Sequence, residues 1–549
     1  MNSRSGPKGK RRKARGRRAT PAALAELKAL LGPNPPLERQ YLIEHLHLIQ
    51  DVKGHVPAAL LVALAERMGL SLSDVFETVR FYAHFDFVEE GEAPPPPITI
   101  QVCASLPCAL SGASELAQGL RAAAGEHVRI IEAPCMGGCD GAPFAMAGRR
   151  RVPRAEAGGL LELAGEGRLS AVIPAFEDFG ACMKQGGYKA FGRVRRGEEG
   201  LERIVARLEA SGLRGLGGAG FPAAAKWRAV AAAEGAVKYV VVNADESEPG
   251  SFKDRHILER WPHRVLEGAL IAAEALRAQG IFIYLREEHA HIHSILSREI
   301  ALLEDLNIVA KRFIRLRRGA GAYVCGEESA LIESLEGRRG WPRQRPPYVS
   351  EKGLFGRPTL VHNVETLYRV AAILGGDEGA GGRRFYSVSG RVRRPGVHEA
   401  PCGATAAELI ELAGGMAEGH ELFAFLPGGA SGGILPASLA HVPLTNEALG
   451  EHGAAAGAGA LIVLSRSDDV RAAARAMMAF FAGESCGQCT PCREGCARAL
   501  RLMEAEEWDE ALLEDLAHVM GEASICGLGR AAPASFLSIL RHFPAKEAS

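Results

Sequence analysis

The sequence has few aromatic residues, no net charge and no long hydrophobic run. Aromatic residues make up 6% of its 549 positions, and 65 lysines and arginines balance 65 acidic residues. No apolar run reaches the roughly 18 residues that a membrane span needs. The zero net charge gives no global argument for nucleic-acid binding. We expect a soluble protein of several domains, because roughly 100–200 residues make one domain.

The N-terminus carries the one strong local excess of charge. The first eighteen residues contain nine basic side chains and no acid. A nucleic-acid or membrane arm is one interpretation, but no aromatic residue separates these charges, which favours a disordered tail over residues 1–36. No apolar segment follows them, so they are not a secretory signal. We expect a cytoplasmic protein, whose cysteines serve metals or redox chemistry more often than disulfides.

Hydrophobic patterns divide the rest of the chain into five regions. Residues 37–92 have helical spacing and predict a helical bundle, and residues 97–175 predict a compact domain of strands and helices. Residues 176–382 alternate buried strands with polar loops and helices, which predicts an α/β layer with its site at the strand ends. Residues 383–465 predict a β-grasp-like domain, and residues 466–549 are helical again. The expected fold class is multidomain, α/β and α+β.

Four cysteines of the second region form two pairs on separate loops. Four residues separate Cys103 from Cys108, and three separate Cys135 from Cys139. Zinc favours C-x2-C turns that aim both sulfurs at one ion. The wider spacings suit a two-iron cluster, in which a pair of thiolates holds each iron. We predict a [2Fe–2S] cluster, with buried structural cysteines as the alternative.

A second cysteine run, "SCGQCTPCREGC", has the spacing of a ferredoxin cluster. Its last member, Cys496, is not followed by proline, whereas Cys526 lies downstream among small residues that permit close approach. We predict that Cys486, Cys489, Cys492 and Cys526 hold one [4Fe–4S] cluster. Cys496 is then a spare cysteine, packed in the helix that begins near residue 491.

The segment "GLRGLGGAGFP" contains G-x-G-x-x-G at Gly215, Gly217 and Gly220. A dinucleotide fingerprint should follow a strand, but the preceding residues have a helical pattern. The bare backbone N–H groups, with Arg214 before and Lys226 after, still favour a phosphate cradle. A plain flexible loop is the alternative.

Three local expectations concern single residues. Ser73 is expected to cap a helix that begins at Asp74. The run "HAHIH", from His289 to His293, suggests a metal site, but the helical pattern that follows favours surface histidines. The isolated Cys182, Cys325 and Cys402 are expected to be structural.

Five motifs in order resemble the FMN- and NADH-binding flavoprotein subunit of respiratory complex I and its relatives. They are "GLRGLGGAGFPAAAKW", "NADESEPGSFKDR", "GAGAYVCGEESALIESLEGRRGWPRQRPP", "GLFGRPTLVHNVETL" and "SCGQCTPCREG". The relatives include the diaphorase subunit of NAD-reducing hydrogenases and the β subunit of NAD-dependent formate dehydrogenases. Residues 37–175 resemble the thioredoxin-like [2Fe–2S] subunit of these enzymes, so the chain resembles a fusion of the two.

The resemblance implies two sets of nucleotide-binding residues. FMN is expected at Gly215, Gly217, Gly218, Lys226, Asn243, Asp245, Glu246, Tyr323, Gly326, Glu327, Glu328 and Asn363, and NAD(H) at Phe221, Glu248, Arg345 and Tyr348. No catalytic acid or base is implied, because the flavin itself transfers hydride; Glu248 and Glu328 are only expected nearby. Arg345 and Tyr348 replace the lysine and phenylalanine that are more usual in complex I, and His362 replaces an asparagine.

The implied function is electron transfer between NAD(H) and a partner subunit through FMN, one [2Fe–2S] and one [4Fe–4S] cluster. The fusion, with all four [2Fe–2S] cysteines present, favours the NAD-dependent formate dehydrogenase, whose large partner carries molybdenum or tungsten and iron–sulfur clusters. A heterodimer or higher assembly is expected, without nucleic acid. The alternatives are a nickel–iron hydrogenase diaphorase, a fused complex I subunit, and a non-catalytic relay or scaffold with a decayed flavin site.

Overall fold

The computed structural model describes residues 17–544. They form two compact units, which we describe separately. The first comprises the chain up to Pro95 together with Glu333–Arg339, and the second comprises Pro96–Ile332 together with the chain from Gly340 onward.

The first unit is helical. Its helices are Pro21–Leu31, Leu42–Lys53, Ala58–Met68 and Leu72–Phe81, and its short parallel strands are Val56–Pro57 and Phe87–Val88. The prediction of a disordered tail over residues 1–36 is wrong for the first of these helices, because Thr20 caps it and Leu27 is buried in it. Most of the basic run, residues 1–16, lies outside the described residues.

The capping prediction at Ser73 is also wrong. The helix Leu72–Phe81 begins two residues earlier than expected from the pattern, and Ser71 is its N-cap. The Ser71 hydroxyl accepts a hydrogen bond from the Asp74 N–H at 3.1 Å, which satisfies one of the free donors of the first turn.

The second unit begins with a four-stranded sheet. Its strands lie in the order Val128–Ala133, Ile98–Cys103, Ala145–Ala147 and Arg150–Val152; its helices are Leu106–Ala109, Ala113–Ala123 and Ala157–Gly165. The first two strands are parallel and the other pairs are antiparallel. Cys103 ends the strand Ile98–Cys103 and Cys108 lies in the helix Leu106–Ala109, whereas Cys135 and Cys139 follow the strand Val128–Ala133. Both pairs therefore lie at the carboxyl end of the parallel pair.

A parallel four-stranded sheet follows. Its order is Thr359–Asn363, Tyr239–Ala244, Gly280–Leu285 and Ile314–Arg318. Its helices are Phe179–Lys184, Lys189–Arg195, Leu201–Ala210, Ala223–Ala232, Lys253–Arg260, Pro262–Ala275, Ala290–Asp305, Glu328–Leu335, Val349–Lys352 and Val364–Gly375. The last strand in sequence pairs with the first, so the strand order reverses between them, and such a switch point leaves a crevice at the carboxyl ends.

A mixed sheet and a helical region complete the chain. The sheet order is Gly396–Pro401, Arg383–Gly390, Ala460–Ser465, Leu422–Ala430 and Leu435–Pro436, with helices Ala406–Leu412 and Asn446–Gly450. The final helices are Val470–Glu484, Thr490–Met503, Glu510–Ala523, Gly527–Ala531 and Ala534–His542. Among residues 17–544, no helix combines the length and apolar character needed to cross a bilayer.

Candidate cofactor sites

The glycine-rich loop lies at the switch point of the parallel sheet. Asn363 ends its strand, and Asn243, with which it is paired in register, is the last residue but one of the adjacent strand. A Cβ atom on Gly217 would lie 3.0 Å from the Cβ of Asn363, so the loop packs directly on these strand ends. This is the edge at which open α/β sheets bind ligands.

The loop itself is a narrow turn between two helices. The helix Leu201–Ala210 precedes it, which confirms that this is not a strand-to-helix dinucleotide turn. The Gly215 N–H donates to the Phe221 carbonyl at 2.8 Å, while Gly218 and Gly220 have φ values of 119° and 63°. A Cβ atom at Gly215 would lie 3.5 Å from the Phe221 carbonyl oxygen, an ordinary van der Waals contact. A loop of glycines that carries so little side-chain bulk fits a flavin and its phosphate.

A group of charged side chains borders the loop. Lys226 Nζ lies 2.7 Å from Glu328 Oε2, and Arg345 pairs with both Glu327 and Glu328. Glu327 also accepts the Ala330 N–H at 2.9 Å, so its carboxylate caps the helix that follows. Two cations and two carboxylates therefore hold one another in place beside the cradle.

Asp245 is the predicted site residue whose hydrogen bonding is incomplete. Its N–H donates to Asn243 Oδ1 at 3.1 Å, and Asn243 donates to the Gly326 carbonyl at 2.8 Å. Its Oδ2 is buried and has no partner, and burial raises the pKa of this carboxyl to about 7. A buried polar atom without a partner is expensive, so it fits a site in which a bound polar ring completes the hydrogen bonding.

The predicted nucleotide residues differ in their surroundings. Glu248 accepts hydrogen bonds from the Tyr323 hydroxyl and from the Ser431 N–H, and burial raises the pKa of the carboxyl. Phe221 and Tyr348 are each 53% exposed. An exposed aromatic face can stack on a nucleotide, and a carboxylate suits free ribose hydroxyls. Assignment of these residues to NAD(H) stays a prediction.

Glu246 has a different environment from the other predicted FMN residues. Its two carboxylate oxygens accept the N–H groups of Asp254 and Arg255 at 3.0 and 2.9 Å. It therefore caps the helix Lys253–Arg260 and is 6% exposed. Asn363 is similarly held, because it accepts from Lys253 and donates to Asp254. Assignment of these residues to FMN stays a prediction.

The four thiols predicted for the [2Fe–2S] cluster converge and are buried. Cys135 Sγ lies 3.4 Å from Cys139 Sγ, and Cys103 is in hydrogen-bond contact with both Cys108 and Cys135. Hydrogen bonds from Cys103 and Cys139 hold the pKa of Cys135 well below its usual range. A thiolate in this position fits a bound iron.

Sequence reasoning missed three neighbours of these thiols. The Gly250 N–H hydrogen-bonds to the sulfurs of Cys135 and Cys139, and Phe252 packs against the same pair. Arg286 donates to the Cys135 carbonyl at 2.7 Å and to the Glu246 carbonyl. Arg286 follows the strand Gly280–Leu285 at its carboxyl end, which was the available sequence signal.

The cysteines predicted for the [4Fe–4S] cluster gather around two helix starts. Cys489 precedes the helix Thr490–Met503, which contains Cys492, and Cys526 precedes the helix Gly527–Ala531. A hydrogen bond from Cys496 lowers the pKa of Cys492 to about 7. Burial raises the pKa of Cys526 to about 12, and the nearby sulfurs of Cys486 and Cys492 add to this.

Two contacts join this cluster region to the flavin pocket. Trp341 Nε1 donates to the Cys486 carbonyl at 3.2 Å, and Glu484 accepts the Tyr323 N–H at 2.9 Å. Cys496 is fully buried within its helix, as predicted. Its exclusion from the ligand set stays a prediction.

The expectation of surface histidines is wrong for two members of the "HAHIH" run. His289 and His291 are 1% and 3% exposed. The chain there enters the helix Ala290–Asp305, and His291 Nε2 lies 2.7 Å from Glu259 Oε1. The polar composition of the run concealed the packing of His291 against the helix Lys253–Arg260.

Four family models match the chain in the regions just described. They are the Nuo51 FMN-binding domain at residues 208–372, the NADH-ubiquinone oxidoreductase-F iron-sulfur binding region at 472–548, the thioredoxin-like [2Fe-2S] ferredoxin at 28–164 and the SLBB domain at 385–435. Fold and sites thus define an NADH dehydrogenase-type oxidoreductase subunit with FMN, [2Fe–2S] and [4Fe–4S] regions. The predicted fold class and cofactors are confirmed.

Curated relatives and solved structures narrow the class. NADH-quinone oxidoreductase-F 2 of Rhizobium meliloti is 38% identical over 66% of this chain and 91% of its own length, and NADH-quinone oxidoreductase-F of Streptomyces coelicolor is 39% identical over 64% and 85%. An NAD+-reducing [NiFe]-hydrogenase chain in its air-oxidized state aligns with a TM-score of 0.81 and 30% identity, covering 94% of both chains. The chain belongs to the NADH-quinone oxidoreductase-F family.

A bound FMN supplies hydride chemistry and exchanges electrons singly with iron–sulfur clusters. The residues of this chain have simpler tasks. Lys226 and Arg345 pair with the carboxylates of Glu327 and Glu328. On the predicted assignment, the glycine loop would hold the flavin and the exposed rings of Phe221 and Tyr348 would orient a nucleotide. Positioning of this kind contributes much of the rate in such reactions.

Proposed function

We propose that this chain is the NAD(H)-oxidising and -reducing subunit of a cytoplasmic, NAD-dependent formate dehydrogenase. A large partner with a molybdenum or tungsten pterin and iron–sulfur clusters oxidises formate, and its electrons reach NAD+ through this chain. The observation that carries the proposal is the convergence of Cys103, Cys108, Cys135 and Cys139 in a chain that also contains the flavin region. The fused chain thus retains a complete thiol set.

We assign the nucleotide specificity to the carboxylates beside the pocket. Glu248 and Glu327 favour a free ribose hydroxyl and repel a 2′-phosphate, which selects NAD over NADP. The exposed rings of Phe221 and Tyr348 stack on the nucleotide. Asp245, with its unpartnered oxygen, hydrogen-bonds FMN.

A hydrogenase diaphorase is the second candidate, and a specific observation favours it. The NAD+-reducing [NiFe]-hydrogenase chain aligns over 94% of both lengths, so one chain of that enzyme has the same extent as this one. The alignments with the oxidoreductase-F relatives, in contrast, span 62–68% of this chain. Length therefore separates this chain from those relatives but not from the hydrogenase chain.

Metal analysis of the native complex distinguishes the two candidates. The complex is purified without oxygen through a tag on this chain, and its metals and co-purifying subunits are measured. Molybdenum or tungsten with formate-dependent NAD+ reduction supports the proposal, whereas nickel with hydrogen-dependent reduction contradicts it.

A dye assay on the isolated chain tests the catalytic role separately. With FMN bound, the chain should reduce ferricyanide at the expense of NADH whatever its partner is. Bound FMN without dye reduction would instead indicate a non-catalytic relay subunit.

A further inference from the structure

A cleft of about 280 Å³ lies between the [2Fe–2S] domain and the flavin domain, apart from the glycine loop. Gly138 and Gly141 of the cluster loop line it on one side. Arg255 and His291, from two helices of the flavin domain, line it on the other. A water molecule occupies roughly 30 Å³ in the liquid, so the cleft has room for a small ligand.

Arg151 lies in this cleft without a carboxylate partner. Its guanidinium donates to the carbonyls of Met136 at 2.9 Å and Gly137 at 3.0 Å and lies 4.5 Å from the centre of the Phe144 ring. No carboxylate of the described chain forms an ion pair with it. Burial, and then the positive charge of Arg255, lower the pKa of Arg151 to about 9. Its positive charge is therefore poorly compensated.

Two other lining side chains have buried nitrogen atoms without partners. Arg255 pairs with Asp140 at 2.6 Å and with Glu259, but its Nε makes no hydrogen bond. His291 Nε2 lies 2.7 Å from Glu259 Oε1, and its Nδ1 is likewise without a partner. Because Nε2 faces a carboxylate, it carries the proton, and Nδ1 is an acceptor.

The charges of the lining define the class of ligand. Three arginines, Arg151, Arg154 and Arg255, face two carboxylates, Asp140 and Glu259, which leaves one positive charge in excess. The free groups are arginine donors and one imidazole acceptor. We propose that the cleft binds a small oxyanion that keeps a proton at neutral pH, of the hydrogenphosphate or bicarbonate type. Its charged oxygens accept from the arginines, and its hydroxyl donates to His291.

Such an anion would act on the neighbouring cluster. The loop between Cys135 and Cys139 forms a wall of the cleft. A negative charge behind this loop opposes the addition of an electron. Ligand binding is therefore expected to lower the midpoint potential of the [2Fe–2S] centre.

Calorimetry measures the binding of phosphate, bicarbonate and sulfate to the FMN- and cluster-loaded chain. Saturating NAD+ is present so that the nucleotide sites are filled. Phosphate or bicarbonate should bind at one site. Sulfate carries no proton at this pH and should bind with an affinity at least about tenfold lower. Arg151→Gln should weaken binding by about tenfold, since a charge-assisted hydrogen bond is lost. Arg150→Gln, on the adjacent strand position outside the cleft, is the matched control and should bind as the unmodified chain does.

A second variant and a second readout keep the test decisive. Arg154→Gln, at the exposed edge of the cleft, should also weaken binding. It replaces Arg151→Gln in the test if that variant does not retain its [2Fe–2S] cluster. Redox titration of the [2Fe–2S] signal should show a lower midpoint with phosphate in the unmodified chain and a smaller shift in the variants. Absence of saturable binding, or unchanged affinity in both variants, would overturn the site. Equal affinity for sulfate and phosphate would overturn the requirement for a protonated ligand.

Discussion

Two cysteines of the C-terminal helices differ in ways that spacing alone does not reveal. Cys496 is fully buried one turn after Cys492, whereas Cys526 is partly exposed and precedes a separate short helix. We predict that Cys496→Ser keeps the [4Fe–4S] cluster and that Cys526→Ser loses it. Iron content and the low-temperature EPR signal of the reduced chain measure both. A cluster lost in Cys496→Ser and kept in Cys526→Ser would reverse the assignment.

A substitution at Gly215 tests contact with the cofactor without disturbing the packing of the protein. A Cβ atom here meets no protein atom closer than 3.5 Å and the backbone is not left-handed, so Gly215→Ala should fold normally. If FMN lies on this loop, the methyl group should weaken FMN binding by about tenfold or more. Fluorescence titration of the flavin-free chain measures this, with Gly200→Ala as the control, because no atom lies within 4 Å of a Cβ added there. Unchanged affinity in Gly215→Ala would move FMN away from this loop.

Asp245 makes stability depend on pH in the direction opposite to a paired carboxylate. Its pKa of about 7 lies above the unfolded value of 3.8, so folding favours the protonated form. Stability is then fully present near pH 4 and falls as the pH rises towards 7. Asp245→Asn should remove this fall, raising the thermal midpoint of the flavin-free chain relative to the unmodified chain by about 5 °C at pH 8. Tryptophan fluorescence follows the transition; an equal difference at pH 5 and pH 8 would contradict the prediction.

Among the elements, strands were more predictable than helix starts. The run Gly280–Leu285 is buried throughout and Tyr239–Ala244 is buried except at Asn243, so their apolar sequence directly encodes their place in the sheet. The helix at Leu72–Phe81 has two serines in suitable positions, and only backbone geometry decides that Ser71 caps it.

This choice can be tested with a matched pair. Ser71→Ala should destabilise the first turn of Leu72–Phe81 by about 1 kcal/mol, because the Asp74 N–H loses its acceptor. Ser73→Ala, inside the helix, should have little effect. Hydrogen exchange of the amides in this turn reports the difference locally, and faster exchange in Ser73→Ala alone would contradict the structure.

The parts of the site that sequence reasoning missed come from contacts between distant segments. The cysteines and glycines follow from spacing, because cluster and phosphate binding constrain neighbouring residues. Arg286 and Gly250 reach Cys135 across 151 and 115 residues of chain, and no local pattern records such a meeting. His291 was misjudged for the same reason, since its burial depends on a helix pair.

At the scale of the whole molecule, the zero net charge conceals an asymmetry. Residues 1–16 contain seven basic side chains and no acid. Removing them therefore changes the formal net charge of the chain from 0 to −7. We predict that this deletion leaves NADH-dependent ferricyanide reduction by the FMN-loaded chain within about twofold, because residues 1–16 include none of the predicted cofactor or cluster residues. A larger loss at physiological salt would give the tail a role in the reaction.

The segment from Asp245 to Phe252 touches three sites within eight residues. It supplies Asp245 as a candidate flavin ligand, Glu248 as a candidate nucleotide ligand, and the Gly250 N–H at the predicted [2Fe–2S] thiols. We therefore expect a substitution in this segment to affect more than one of these sites. An engineer who alters nucleotide preference through Glu248 should screen for cluster content in the same experiment, and compensating changes are best sought in the cysteine loop of the other domain.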